Sequence, residues 1–255
     1  MKITKEEYER LELIYNTFCS QLRIKDNFLL KKNRYASSET RLIFDYLFGK
    51  PYIENSGEPI DDLIIDEEYK GIVMYYFKDA IPFAKASHFL LDKKIKAITD
   101  TDNQLNTLHR YNLCFNDVHT SNLLIDSNGG YLIDFDSVAF CDDDISYTRF
   151  YLYYKDKNFD VSFNADNYKA LISYFSLIYG IELENILVKD GLLDLSLLEE
   201  FLKGTSVFPL IGVANKNILL DCPIPNIVDF LPFISDEERV NYDINILRDK
   251  VKTLR

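Results

Sequence analysis

Asn116-Asp117-Val118-His119-Thr120-Ser121-Asn122-Leu123-Leu124-Ile125 is followed, across a turn at Asn128-Gly129-Gly130, by Tyr131-Leu132-Ile133-Asp134-Phe135-Asp136. Two short apolar runs flank a glycine turn, which predicts a β-hairpin. Polar residues mark its ends. Asp117 and Asn122 precede the first run, and Asp134 and Asp136 close the second. A hairpin folded at Gly129-Gly130 brings Asn122 beside Asp134. Oxygen-bearing side chains converging at strand ends suit Mg²⁺, which takes a few hard oxygen ligands and leaves its other positions to water or phosphate.

Upstream, Thr4 to Leu22 reads as a helix. Thr4-x-x-Glu7 is a capping-box pattern, and Tyr8, Leu11, Ile14, Tyr15 and Phe18 fall at helical spacing. Phe28 to Lys32 predicts a short strand. Ser37 or Ser38 starts a helix that runs to about Phe48 and is stopped by Gly49 and Pro51. Leu63-Ile64-Ile65 and Gly71 to Phe77 predict two strands joined by an acidic turn at Asp66-Glu67-Glu68. Downstream, helices are expected around Tyr147 to Tyr154, from Asn164 to Tyr179 with Gly180 as the stop, and from Ser196 to Gly204. A last helix opens at Ser235-x-x-Glu238. Leu210 to Phe233, with three prolines, reads as an irregular surface segment. The class expected is α+β: a small α/β part, residues 1–77, followed by a larger, mainly helical part, residues 78–255.

Composition narrows the setting. With 47% hydrophobic residues and 18 each of Tyr and Phe, there is ample core material and no reason to expect disorder. The four cysteines form no C-x-x-C pair and no ligand grouping with the three histidines. Neither a disulfide scaffold nor a zinc site is therefore expected, and a reducing, cytoplasmic setting is. No apolar run approaches the ~20 residues of a membrane span, so no membrane partner is expected. A net charge of −12 argues against a nucleic-acid partner, which needs a basic footprint, and suits a cationic ligand.

A lone Asp on a loop is ordinarily a turn or cap residue. The ordered set of Leu108-His109, Asp117-x4-Asn122 and Ile133-Asp134-Phe135-Asp136 reverses that expectation, because it resembles the catalytic loop and metal-binding motif of kinase-like phosphotransferases. The likeness is strongest to the aminoglycoside phosphotransferase and choline kinase branch, and Asp144-Ile145 matches the Asp-Leu element that follows there. It is strong from Leu108 to Ile145, fair from Ile72 to Phe77, and weak elsewhere.

The resemblance implies a kinase-like two-lobe fold with a reduced N-terminal lobe. It also implies ATP and Mg²⁺ as cofactors and a hydroxyl of a small, cationic molecule as acceptor. Asp117 would be the catalytic base, and Asn122, Asp134 and Asp136 would supply metal ligands. Lys31, with Lys32 next to it as the competing candidate, would reach the phosphates from a strand, paired with Glu39 of the following helix; surface charge is the other reading of that pair. The backbone at Tyr75 to Phe77 would meet the base. Two departures stand out. Phe115 occupies the place of a loop-tying His. No glycine precedes Gly49, so a glycine-rich phosphate-covering loop cannot be placed and a lobe without a covering hairpin is expected. These departures keep a nucleotide-binding pseudokinase as the alternative. Only nine residues separate Asp134 from Asp144, too few for a peptide platform, which favours a small-molecule acceptor over a protein.

Overall fold

The computed structural model, describing residues 1–33, 38–141, 151–159, 162–204 and 207–229, is a mixed α+β fold with seven α-helices among those residues. Strand β1 (Lys2–Ile3) leads into helix α1 (Lys5–Arg10). The capping box is present: Thr4 Oγ1 accepts from the Glu7 amide at 3.1 Å, and Glu7 Oε2 accepts from the Thr4 amide at 2.7 Å. The helix does not continue to Leu22 as its spacing suggested. It stops at Arg10, and the chain turns back and forth through β2 (Glu12–Asn16), β3 (Ser20–Lys25) and β4 (Phe28–Asn33). Ile14, Tyr15 and Phe18 lie exposed, so a helix there would have had no core to bury its apolar stripe against. Leu13-Ile14-Tyr15 and Leu22-x-Ile24 instead satisfy the β preference of branched and aromatic residues.

Helix α2 (Ser38–Phe48) follows, then β5 (Asp61–Ile65) and β6 (Glu68–Tyr75) around the acidic turn. Together they form a six-stranded sheet in the order β1-β5-β6-β4-β3-β2, with β1 and β5 parallel and every other pair antiparallel. The two-residue period of a strand sorts its faces. Ile72 and Met74 of β6 enter the main core, while Val73 between them packs with Tyr8, Leu30 and Leu63 on the opposite face. Gly71 lets β6 approach β4: a Cβ there would lie 2.0 Å from the Lys31 carbonyl oxygen.

Past the sheet come β7 (Ile81–Pro82), the long α3 (Leu91–Arg110), β8 (Leu113–Cys114), β9 (Leu123–Ile125), β10 (Gly130–Leu132) and β11 (Ala139–Phe140). The hairpin expected at Gly129-Gly130 is β9–β10, with Leu123 opposite Leu132. Buried Gln104 of α3 serves the free edge of β10, donating to the Gly130 carbonyl at 2.9 Å and accepting from the Leu132 amide at 2.7 Å. Where a helix was expected at Tyr147 to Tyr154, residues Tyr151–Tyr154 form strand β12, paired with β13 (Lys157–Phe159); 147–150 lie outside the described residues.

Helix α4 (Phe163–Tyr179) ends at Gly180, whose left-handed φ of 66° makes it the stop read from the sequence. The rest comprises α5 (Leu183–Leu187), β14 (Val188–Lys189), β15 (Leu192–Asp194), α6 (Leu195–Leu202) and α7 (Phe208–Leu219). Helix α7 corrects the irregular reading of that stretch. Pro209 falls in its first turn, where a proline is tolerated. The helix expected from Ser235 and the turn at Asp142 to Asp144 lie outside the described residues. Among the described residues no helix is long and apolar enough to cross a membrane.

Candidate functional site

The six-stranded sheet and the β9–β10 hairpin face each other across a cleft of about 660 Å³. Lys31, Tyr75 and Phe77 line one side, and Asp117, Asn122 and Asp134 line the other. The residues singled out from the sequence therefore meet in one place, apart from Glu39, whose side chain lies outside the described residues. Lys31 pairs across the cleft. Its buried ammonium lies 2.5 Å from Asp134 Oδ1 and 2.8 Å from Asp136 Oδ2. Burial alone would lower the Lys31 pKa, but the two carboxylates outweigh it and hold the pKa raised. For Asp136, burial dominates and raises the carboxyl against the pull of Lys31.

The catalytic-loop candidate is held from several directions. Asn122 Nδ2 donates to the Asp117 carbonyl at 3.0 Å and to Asp117 Oδ2 at 3.3 Å. His119 Nδ1 accepts from the Ser121 amide at 3.2 Å, so a neutral ring carries its proton on Nε2 and donates it to Asp117 Oδ2, 3.3 Å away. His119 thus structures the loop. The Ile133 amide donates to the Asn122 carbonyl at 2.9 Å, which sets Asp134 directly beside Asn122. Asp134 itself takes a left-handed conformation, φ 70° and ψ 68°, turning the chain sharply after the strand.

Phe115, standing where a loop-tying His was expected, packs edge to face on Phe135. Two further ties join the same loops. Asn116 Nδ2 donates to the Ser137 carbonyl at 2.7 Å, and a disulfide links Cys114 to Cys141. The disulfide corrects the expectation of unpaired cysteines. The β8–β11 pairing sets Ala139 opposite Cys114, bringing the two Cα atoms to 5.4 Å, a separation that a disulfide spans.

Three functional supports were not read from the sequence. Asp166 of α4, 1% exposed, accepts from the amides of Phe115 (2.6 Å) and Asn116 (2.8 Å) and lies 3.2 Å from His109 Nε2. Lys169 donates to the Asn116 carbonyl at 2.8 Å; burial lowers its pKa, opposed by Asp166 and Asp117. Glu184 of α5 accepts from the Thr120 amide and hydroxyl and from the Ser173 hydroxyl, at 3.0, 3.1 and 3.0 Å. The signal for the first two lies in α4, whose residues Asp166, Lys169, Ser173 and Ser176 recur every three or four positions on a helix that is otherwise apolar. A polar stripe on a helix buried nearly all round must find internal partners.

The roof of the cleft overturns one expectation. A hairpin, β2–β3, does precede Lys31 and covers the cleft, although it contains no glycine. A bulge between Leu13 and Tyr15 interrupts the pairing, and both Ile14 and Tyr15 line the cavity. At the turn, the Thr17 amide donates to the Ser20 carbonyl (2.9 Å) and the Ser20 amide to Thr17 Oγ1 (3.1 Å). These amides are bonded within the turn instead of being offered to a ligand.

Asn122, Asp134 and Asp136 supply the hard oxygens that Mg²⁺ takes, and one of them is in want of a partner: Asp136 Oδ1 is buried and makes no hydrogen bond among the described residues. The donor set thus fits a divalent ion. Among the described residues no cluster of three or more His, Cys, Asp or Glu side chains is arranged for a metal, so the set depends on the Asn122 amide and on outside oxygens. Neither a protein-family model nor a curated protein matches the chain.

Proposed function

We propose that this chain is an ATP-dependent phosphotransferase of kinase-like, two-lobe design, transferring a phosphoryl group to a hydroxyl of a small, amine-bearing molecule. Residues 1–77 would form the nucleotide-binding lobe and residues 78–255 the catalytic lobe. One observation carries the reading. The strand lysine Lys31 and the set Asp117, Asn122 and Asp134, brought together from opposite sides of the fold, line one cleft of the size a nucleotide needs.

Asp117 would orient the acceptor hydroxyl and receive its proton, held in place by His119 and Asn122. Lys31 would neutralise phosphate charge. Asn122, Asp134 and Asp136 would hold Mg²⁺, which when bound neutralises the charge developing on the transferring phosphoryl group. Leu29, Met74 and Leu124 would sandwich the base near Tyr75 and Phe77. The Tyr76 amide is taken by the Asn27 carbonyl at 2.9 Å, which directs base contacts to its neighbours. The acidic balance of the chain supports a cationic acceptor.

The pseudokinase reading draws on the Thr17–Ser20 turn, where the Thr17 and Ser20 amides are bonded internally and so are not offered to a triphosphate. One experiment separates the two readings: nucleotide binding with and without Mg²⁺, followed by ATP consumption against a panel of aminoglycosides, macrolides, choline-like amines, sugars and generic peptides. Turnover with a small amine supports the proposal. Binding without turnover selects the pseudokinase, and peptide phosphorylation alone overturns the acceptor assignment.

A further inference from the structure

Lys31 lies at the point where a metal would be expected. Its ammonium is 2.5 Å from Asp134 Oδ1 and 2.8 Å from Asp136 Oδ2, and its side chain is 8% exposed. Two carboxylates converging on one point are donors for a divalent cation, and here the point already holds a positive charge. Charge balance sharpens the conflict. When both are ionised, Asp134 and Asp136 carry two negative charges. Lys31 leaves one of them uncompensated, whereas a divalent ion beside Lys31 would leave an excess positive charge in a partly buried site. Without Lys31 the two carboxylates match a divalent ion. With Lys31 seated between them, they do not.

We propose that Lys31 is a built-in counter-cation that keeps a divalent metal off Asp134 and Asp136 until a polyphosphate enters the cleft and draws the ammonium away. The metal then arrives with the nucleotide, not before it. This inference rests on the phosphotransferase reading of the same cleft and adds an order of binding to it. The fold gives Lys31 a fixed base from which to swing. Its backbone sits in the middle of the sheet, paired with Leu22 on one side and Ile72 on the other, so only the side chain needs to move. The exchange also gives the unpartnered Asp136 Oδ1 a use, because a metal seated between the carboxylates can take an oxygen that the lysine does not reach.

The test follows Mn²⁺ as a spin probe for Mg²⁺, by electron paramagnetic resonance, with no turnover required. Intact wild type, Lys31→Met and Lys31→Gln are titrated with Mn²⁺ alone and then with a non-hydrolysable ATP analogue present. Lys31→Gln is neutral yet can still donate to a carboxylate, and it serves if Lys31→Met does not fold. The neutral variants should bind Mn²⁺ alone at least about tenfold more tightly than wild type. Adding Asp134→Asn to either should abolish the gain, and wild type should take up Mn²⁺ strongly only with the analogue. Equal Mn²⁺ binding by wild type and both variants, with wild type still loading metal and analogue together, would overturn the lysine gate and leave the phosphotransferase reading standing. Failure of wild type to bind the analogue under any condition would overturn that reading and the gate with it.

Discussion

Phe115 meets Phe135 edge to face, with ring centroids 5.4 Å apart and planes at 89°. Both rings are buried to within 1% of full exclusion from solvent, so this contact joins the loop carrying Asp117 to the turn carrying Asp134 without a polar atom. Phe115→Ala should destabilise the fold by about 3–5 kcal/mol in a urea titration. It should also weaken nucleotide binding, whereas Phe115→Leu should lose much less of either. A variant that is destabilised but binds nucleotide normally would show that the contact serves the core alone.

Asp117 accepts from both His119 and Asn122, which fixes its carboxylate where the proposed proton transfer needs it. Asp117→Asn keeps the shape and removes the base. With an acceptor in hand, kcat should fall by about 10²–10⁴-fold, with nucleotide affinity nearly unchanged. Retention of full turnover would remove Asp117 from the chemistry.

Asp166 supports the loop from beneath through two backbone amides. Asp166→Ala would strand both buried donors and leave Lys169 with a weaker counter-charge, a loss of about 3 kcal/mol or more in thermal or urea unfolding. Asp166→Asn, which keeps one acceptor oxygen, should lose less. If Asp166→Ala proved as stable as wild type, the amides would have to be satisfied by some other group.

The reach of sequence reading is visible in these side chains. Asp117, Asn122 and Asp134 were legible because one hairpin brings them together, and a hairpin is written in a few adjacent residues. Asp166, Lys169 and Glu184 touch that loop from 50 to 64 positions away, and each sits on a helix where a polar residue is first read as facing water. The β2–β3 hairpin was missed because Leu11, Ile14, Tyr15 and Phe18 fit a helical period. In the fold Ile14, Tyr15 and Phe18 stay exposed, so no core covers most of that stripe. Cys114 and Cys141 were missed for a related reason: their pairing depends on β8 lying against β11, two strands of two residues each, too short to read from a pattern.

Glu58 is 2% exposed, and burial raises its pKa from 4.5 to about 7, partly offset by the Ile53 amide that it accepts at 2.6 Å. A carboxyl with a raised native pKa binds its proton more tightly folded than unfolded. Stability therefore falls as pH rises from about 4.5 to about 7 and stays low above that, by up to about 3 kcal/mol. Glu58→Gln should flatten this dependence and unfold at a higher temperature than wild type at pH 8. Melting curves at pH 5 and pH 8 decide it, and parallel pH dependence in both proteins would show that Glu58 is not the source.

The Cys114–Cys141 disulfide closes a loop of 27 positions, a span for which chain entropy predicts about 3–4 kcal/mol. Reductant, or Cys114→Ser, should lower the urea midpoint accordingly. Free-thiol counting on the unfolded protein, before and after reduction, checks the pairing. Four free thiols without reductant would mean that the bond does not form.

That same bond has a topological consequence. Asp117, His119, Asn122, Asp134 and Asp136 all fall between its two cysteines, so every side chain assigned to proton transfer or metal binding belongs to one covalent macrocycle. The exposed turn near Asn128, opposite the closure, is where a protease would cut. A chain nicked there would separate into two pieces only in the presence of reductant, with its chemical groups shared between the two halves.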